Sequence, residues 1–376
     1  MIGFTVQRNE SKVQSPYWLR LKQNKTIWRQ VGWLWYFGRM VYQTAFTLMT
    51  GVRLPVIMAP MFLVSNQSMI EAALLNGVMG VFPSLNFRNE KELDKLLAHL
   101  NEFRSIHAAS GGSFGANLIV QKTNVYFKKH LELCVRHRVP FYITSLGNPA
   151  PVIEAAHGYG AKVFCDVTTL EHAEKANSAG CDGFIAVGQG AGGHAGNHTL
   201  LVLVPALKKR FPDKPVIAAG GIVTGGALIA MLALGADGVS IGTRFIASSE
   251  ATVSHEYKQA ILQAGMEDIV LTEKLSGTPC SIINTPYARK IGYRQNLIER
   301  MLSRHPQTKR WFKQIIQLRG LRLLEKAIRP GSYQNLWCAG QSVGLIDEIL
   351  SCQEIIQRIE KEAMEAYGGL KGQIQQ

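Results

Sequence analysis

The stretch KVFCDVTTLEHAEKANSAGCDGFIAVG (162–188) holds one complete unit of a repeating pattern. It opens on an apolar, β-branched run, passes into a segment of helical period, stops at Gly180 and returns at once to a second apolar run. Glycine suits the left-handed position that ends a helix, and the same punctuation recurs at Gly77, Gly158 and Gly160, and Gly235. Working outward from this unit, eight apolar runs follow one another: VIMAPM (56–61), MGVFPSL (79–85), FGANLIV (114–120), FYITSLG (141–147), KVFCDV (162–167), GFIAVG (183–188), PVIAAGG (215–221) and GVSIGTR (238–244). Between them, segments such as NEKELDKLLAHLNEFRS (89–105) and VYFKKHLELCVRHR (125–138) carry apolar residues at helical spacing with charge on the other face. Eight βα units predict an α/β fold closed into a (β/α)8 TIM barrel; a doubly wound open sheet is the alternative, because a single unit does not encode strand order.

The whole chain of 376 residues, 47% hydrophobic and 18% charged, can bury a large core, which excludes wholesale disorder and a polytopic membrane protein. Its 36 glycines follow no collagen period. Cys134, Cys165, Cys181, Cys280, Cys338 and Cys352 form no CxxC pair and lie in apolar or helical stretches, so reduced thiols and a cytoplasmic location are expected.

A net charge of +14 would suggest nucleic acid if it were evenly spread, but it is concentrated. Residues 1–50 hold seven Lys and Arg against Glu10 alone, and residues 287–330 hold twelve against Glu299 and Glu325. The remainder is close to neutral, so no nucleic-acid partner is expected. The expected organisation is a basic aromatic arm (1–50), the barrel (51–253), a lid segment returning to the barrel (254–345) and a C-terminal helix and tail (346–376), the helix ending at Gly368 and Gly369. Lid and tail are both expected to shape access to the site. Arg39 interrupts the best apolar window of the arm, which argues against a spanning helix, and no secretory cleavage pattern precedes it. The arm, rich in Trp28, Trp33, Trp35, Tyr36, Phe37, Tyr42 and Phe46, then reads either as a helix under the barrel floor or as a peripheral membrane segment.

In such barrels the C-terminal strand ends carry the chemistry. Gly220-Gly221 and Gly242-Thr243 close the last two runs, where barrels frequently bind phosphate: glycine lets backbone N–H groups approach an anion, and Thr243 adds a hydroxyl. The loop GQGAGGHAG (188–196) crowds glycines around His194 directly after the sixth run. Imidazole titrates near neutrality, so His194 is the candidate proton-handling group, whereas His157 and His172 lie in helical patterns and read as structural. Asp166 alone does not make a metal site, and neither a GxSxG elbow nor a GxxxxGK[ST] loop occurs.

These motifs in this order resemble the nitronate monooxygenases, formerly 2-nitropropane dioxygenases, FMN-dependent TIM-barrel enzymes. The marks are LPVIMAPM, FGANL, VFCDVTTLEHAEKA, GQGAGGHAG, PVIAAGGI, ADGVSIGTRF and WCAGQSVGLI. The resemblance implies an oxidoreductase with FMN as cofactor, flavin contacts from Ala59, Met61, Asn117, Gln189 and Gly192, and a phosphate held by Gly220, Gly221, Gly242 and Thr243. It implies a role for His194 at a small-molecule substrate, an alkyl nitronate oxidised with O2 to a carbonyl compound and nitrite. The family and its barrel relatives also include NAD(P)H-dependent flavin reductases and enoyl-acyl-carrier-protein reductases, so a reductase acting on an enoyl thioester or a quinone is the alternative. Asp166 departs from relatives with lysine near the flavin. The basic segment 287–330 is then either a solvated helical lid or a contact for an acidic carrier protein. A flavin-free, membrane-bound binding protein is a third reading, and it predicts a colourless product.

Overall fold

The computed structural model describes residues 41–121, 123–275, 278–294 and 335–374. The aromatic stretch with Trp28 to Phe37 and the basic run from Arg300 to Arg329 lie outside the described residues, so the readings made of them stay expectations.

In chain order the strands are β1 (Val56–Met58), β2 (Met79–Pro83), β3 (Ser113–Ile119), β4 (Phe141–Ser145), β5 (Lys162–Val167), β6 (Gly183–Val187), β7 (Gly193–His194), β8 (Val216–Ala219), β9 (Gly238–Ile241), β10 (Ile269–Thr272) and β11 (Cys280–Ile283). Eight of them, β1 to β6 with β8 and β9, form a closed barrel in sequential order. Every pair in it is parallel, and β9 returns to β1 with Ser240 beside Ile57. All eight expected runs are therefore strands of a TIM barrel. Several are shorter than the apolar runs: the residues at 59–61, 188, 220–221 and 242–244 leave the ladder and become the rim, and the last of them enter a one-turn helix, Thr243–Ile246.

Parallel strands covered by helices on the outside and one another inside are buried on both faces, which is why they read as near-continuous apolar runs. Ile57, Val81, Ile143, Phe164, Ile185 and Ile217 fill the centre, with Met79 and Phe141 below them. The floor is closed by Phe46 from the helix Ala45–Thr50, whose ring meets Phe141 and Phe164 edge-on at 6.0 and 5.9 Å. Burying a ring of this size contributes about 1.5–3 kcal/mol.

After the helix His255–Gln263, β10 and β11 form a hairpin, and β11 pairs with β7 above the barrel to make a separate three-stranded sheet. Trp337 stacks on Tyr257 at 5.4 Å, and the Tyr257 hydroxyl donates to the Cys338 carbonyl at 2.5 Å, fixing the returning chain.

The tail differs from expectation in two ways. Its helix runs Cys352–Gln373, straight through Gly368 and Gly369. Each interior glycine costs roughly 1 kcal/mol against alanine, which lowers helicity without breaking a helix whose amide ladder continues to Leu370 and Ile374. The helix also serves the outer wall rather than the mouth. It packs on the helix Gly225–Ala233, where a methyl on Gly225 would collide with the Ala363 nitrogen and the Ile359 carbonyl. Glu362 accepts from the Gly225 N–H at 2.8 Å, and Glu360 pairs with Arg53.

Candidate active site

Strand register decides which side chains reach the mouth. Ile143 and Phe164 are neighbours in the barrel interior, so Ser145 and Asp166, two residues further along β4 and β5, point inward at its top. Asn117 lies beside Ile143 and points inward too. Ala59 and Gly242 follow β1 and β9 at the corresponding level: a methyl built on Gly242 would lie 3.7 Å from both the Ala59 Cβ and the Met61 sulfur. One wall of the mouth is thus polar and the other glycine-rich.

The polar wall is an ordered chain of hydrogen bonds. The Asn117 side-chain amine donates to the Ile143 carbonyl at 3.2 Å and to the Ser145 hydroxyl at 2.8 Å. A carbonyl only accepts, so Ile143 fixes which way the amide is turned. The single Ser145 proton then goes to Asp166, at 2.5 Å. Burial pushes the Asp166 carboxyl up to about 6 against the opposing pull of the Ser145 hydrogen bond. Asp166 keeps a partial opening to the mouth, but the surrounding protein removes most of its hydration.

The glycine wall is built by close backbone approach. Gly220 and Gly221 take φ of 118° and 76°, a region where side chains are strained. A methyl on Gly220 would lie 2.7 Å from the Ala191 nitrogen and one on Gly192 would lie 2.8 Å from the Gly340 nitrogen, so the loop after β6, the end of β8 and the returning segment fit only as glycines. A methyl built on Gly221 would meet nothing nearer than the Gly190 Cα at 4.0 Å, which leaves room on that side. The backbone N–H groups of Gly220, Gly221, Gly242 and Thr243 donate to no other group among the described residues. Four convergent, unengaged donors at the last two strand ends are what an anion requires. Thr243 is 7% exposed, and its hydroxyl oxygen accepts from the Gly340 N–H at 3.1 Å, leaving its proton to donate.

His194 is exposed on β7, held over the rim by pairing with the lid strand β11. Gln189 and Gly192 are exposed on the same loop. His194 and His198 stand four apart, but on a strand and bend rather than on one helix face, and His198 bonds the Thr168 carbonyl at 3.0 Å. Among the described residues no three metal-ligating side chains gather, and no helix is long and apolar enough to cross a membrane. Sequence reasoning missed Gly340, which closes the glycine loop, and Ser145 as the link to Asp166. A signal existed for the latter: both are polar residues at inward positions of otherwise apolar strands.

A closed parallel barrel with unengaged amides and a histidine at the C-terminal ends of its strands has the layout on which TIM-barrel enzymes build their active sites. The nitronate monooxygenase family model matches residues 43–362, and the chain belongs to that family of oxidoreductases. A dehydrogenase of a hydroxy-methyl-oxo-octahydroindene-carboxyl-CoA from Mycobacterium tuberculosis is 26% identical over 86% of this chain and 97% of its own length. A "probable nitronate monooxygenase" from Staphylococcus saprophyticus is 33% identical over 64% of this chain and 67% of its own. Among solved structures, FabK from Thermotoga maritima superposes with a TM-score of 0.75 at 30% identity, covering 89% of this chain and all (100%) of that one. A nitroalkane oxidase from Streptomyces ansochromogenes, 24% identical with a TM-score of 0.72 over 86% of this chain and 99% of its own, shares the fold.

Proposed function

We propose that this chain is an FMN-dependent oxidoreductase that oxidises alkyl nitronates with O2 to a carbonyl compound and nitrite, working in the cytoplasm. The observation that carries the reading is the set of unengaged amides at Gly220, Gly221, Gly242 and Thr243, which fit a phosphate monoester. Ala59, Met61 and Asn117 line the mouth toward the ring and ribityl chain, with Gln189 and Gly192 on the loop above. Bound there, FMN supplies electron acceptance and transfer to oxygen. The chain itself supplies orientation, a dry floor of Ile143, Phe164 and Ile185, and a histidine at the rim to steady an anionic substrate and move its proton.

A second reading is favoured by one observation: the CoA-thioester dehydrogenase matches this chain over 97% of its own length, the nitronate enzyme over 67%. In it, the same site works as an NAD(P)H-dependent flavin reductase on an enoyl thioester or a quinone, and the basic segment 287–330 steers an acidic carrier. Mixing the flavin-loaded protein anaerobically with an alkyl nitronate, NADH or NADPH separates the two. Bleaching by the nitronate alone supports the first reading; bleaching only by a nicotinamide sinks it in favour of the second.

A further inference from the structure

In the eight-membered ring of strands, β3 lies across the mouth from β8, and β4 from β9. A ligand whose phosphate sits on Gly220, Gly221, Gly242 and Thr243 therefore extends its other end toward Asn117, Ser145 and Asp166. Both N–H groups of the Asn117 amide are engaged by Ile143 and Ser145, so this side chain offers only its carbonyl oxygen. The Ser145 proton is engaged by Asp166. An ionised Asp166 adds two more acceptors and a negative charge; a protonated one adds a donor.

We propose that Asp166 sets the charge that the site tolerates on the reduced flavin: ionised, it disfavours the anionic reduced ring, and protonated, it accepts it. The inference rests on the FMN reading above. Other titratable groups on the packed elements do not offset it. Lys162, at the far end of β5, bonds Asp182 at 3.4 Å, and Asp182 also holds His157 at 2.9 Å. Cys165 lies at the opposite parity on β5, facing outward with the Cys181 thiol. His172 bonds Thr168 at 3.0 Å, and His194 belongs to the lid sheet. Among the described residues nothing basic bonds Asp166, whose carboxyl loses its proton as the pH rises through about 6.

The test is the midpoint potential of the bound flavin between pH 5 and pH 8 in the wild type and in Asp166→Asn, which keeps the shape and removes the charge. The two proteins are expected to agree at pH 5. At pH 8 the variant favours the reduced over the oxidised ring at least tenfold more, a rise of about 30 mV for a two-electron couple. Agreement at both pH values, or the same offset at both, overturns the proposal. Ser145→Ala gives an independent arm: it keeps the carboxyl but removes the hydrogen bond that favours the anion, so the pH at which the potential departs from that of a fixed neutral site moves upward. An unmoved break overturns the proposal even if Asp166→Asn does not fold. A protein that takes up no flavin overturns the FMN reading itself, and a flavin-loaded protein with unchanged potentials overturns this inference alone.

Discussion

Cys280 on β11 stands directly opposite His194 on β7 in antiparallel register, so the rim histidine belongs to the lid sheet and not to the barrel. Its backbone is fixed by the lid while its side chain stays exposed above the mouth. Substituting His194 therefore leaves the glycine cradle untouched. For His194→Asn we expect full flavin content, read by absorbance, with turnover lowered ~100-fold or more, the scale of a lost acid or base. Undiminished turnover removes His194 from the chemistry.

Gly220 and Gly160 both take positive φ, 118° and 86°, but only the first has a neighbour in the way. Gly220→Ala drives a methyl to 2.7 Å from the Ala191 nitrogen and shifts the amides of the cradle. Gly160→Ala meets nothing within 4 Å and costs only the backbone strain, about 1–2 kcal/mol. Isothermal titration with FMN should show the Gly220→Ala dissociation constant rising ~10-fold or more, about 1.4 kcal/mol. That of Gly160→Ala should match the wild type while its melting temperature falls. Equal effects on affinity would show that the cradle is not where the cofactor binds.

Much of this architecture is legible in the sequence because a parallel strand buried on both faces is written as one apolar run, as in VFCDV and GFIAV. The rim is legible for a similar reason: glycines as dense as Gly220-Gly221 and the loop around His194 mark positive φ or close backbone approach, Gly193 and Gly221 being of the first kind and Gly192 of the second. The Asn117, Ser145 and Asp166 chain is not, since it joins side chains 28 and 21 residues apart through barrel register, which no local pattern encodes. Gly340 is hidden by a longer separation, reaching back 97 residues to Thr243. The tail helix has a start written in the sequence, the capping box of Ser351 with Glu354, whereas its two late glycines suggest an end that the continuing amide ladder overrides.

His130 is fully buried and stacks on Tyr126 at 5.5 Å, and among the described residues neither ring nitrogen has a hydrogen-bond partner. The Phe87 backbone and Glu90 favour its charged form slightly, but burial outweighs them and lowers the pKa below 6.5. The unfolded chain then takes up the proton first, so stability is full above pH 6.5 and declines on acidification toward the folded pKa. Denaturant unfolding of His130→Leu alongside the wild type, at pH 7.5 and pH 5, should show the stability difference moving in favour of the variant at the lower pH. A difference that does not change with pH would mean that the fold leaves the His130 pKa where the unfolded chain has it, and a difference moving in favour of the wild type would mean that His130 is charged in the fold.

In the proposed function, the last two strand ends grip the phosphate of a flavin. The most direct measurement is the affinity of flavin-stripped protein for FMN and for riboflavin, which differ only in that phosphate. The account predicts one FMN per chain and riboflavin bound ~100-fold more weakly or worse, since charge-assisted hydrogen bonds contribute roughly 1.5–3 kcal/mol each. Equal affinity for the two, or no binding of FMN at all, would contradict it.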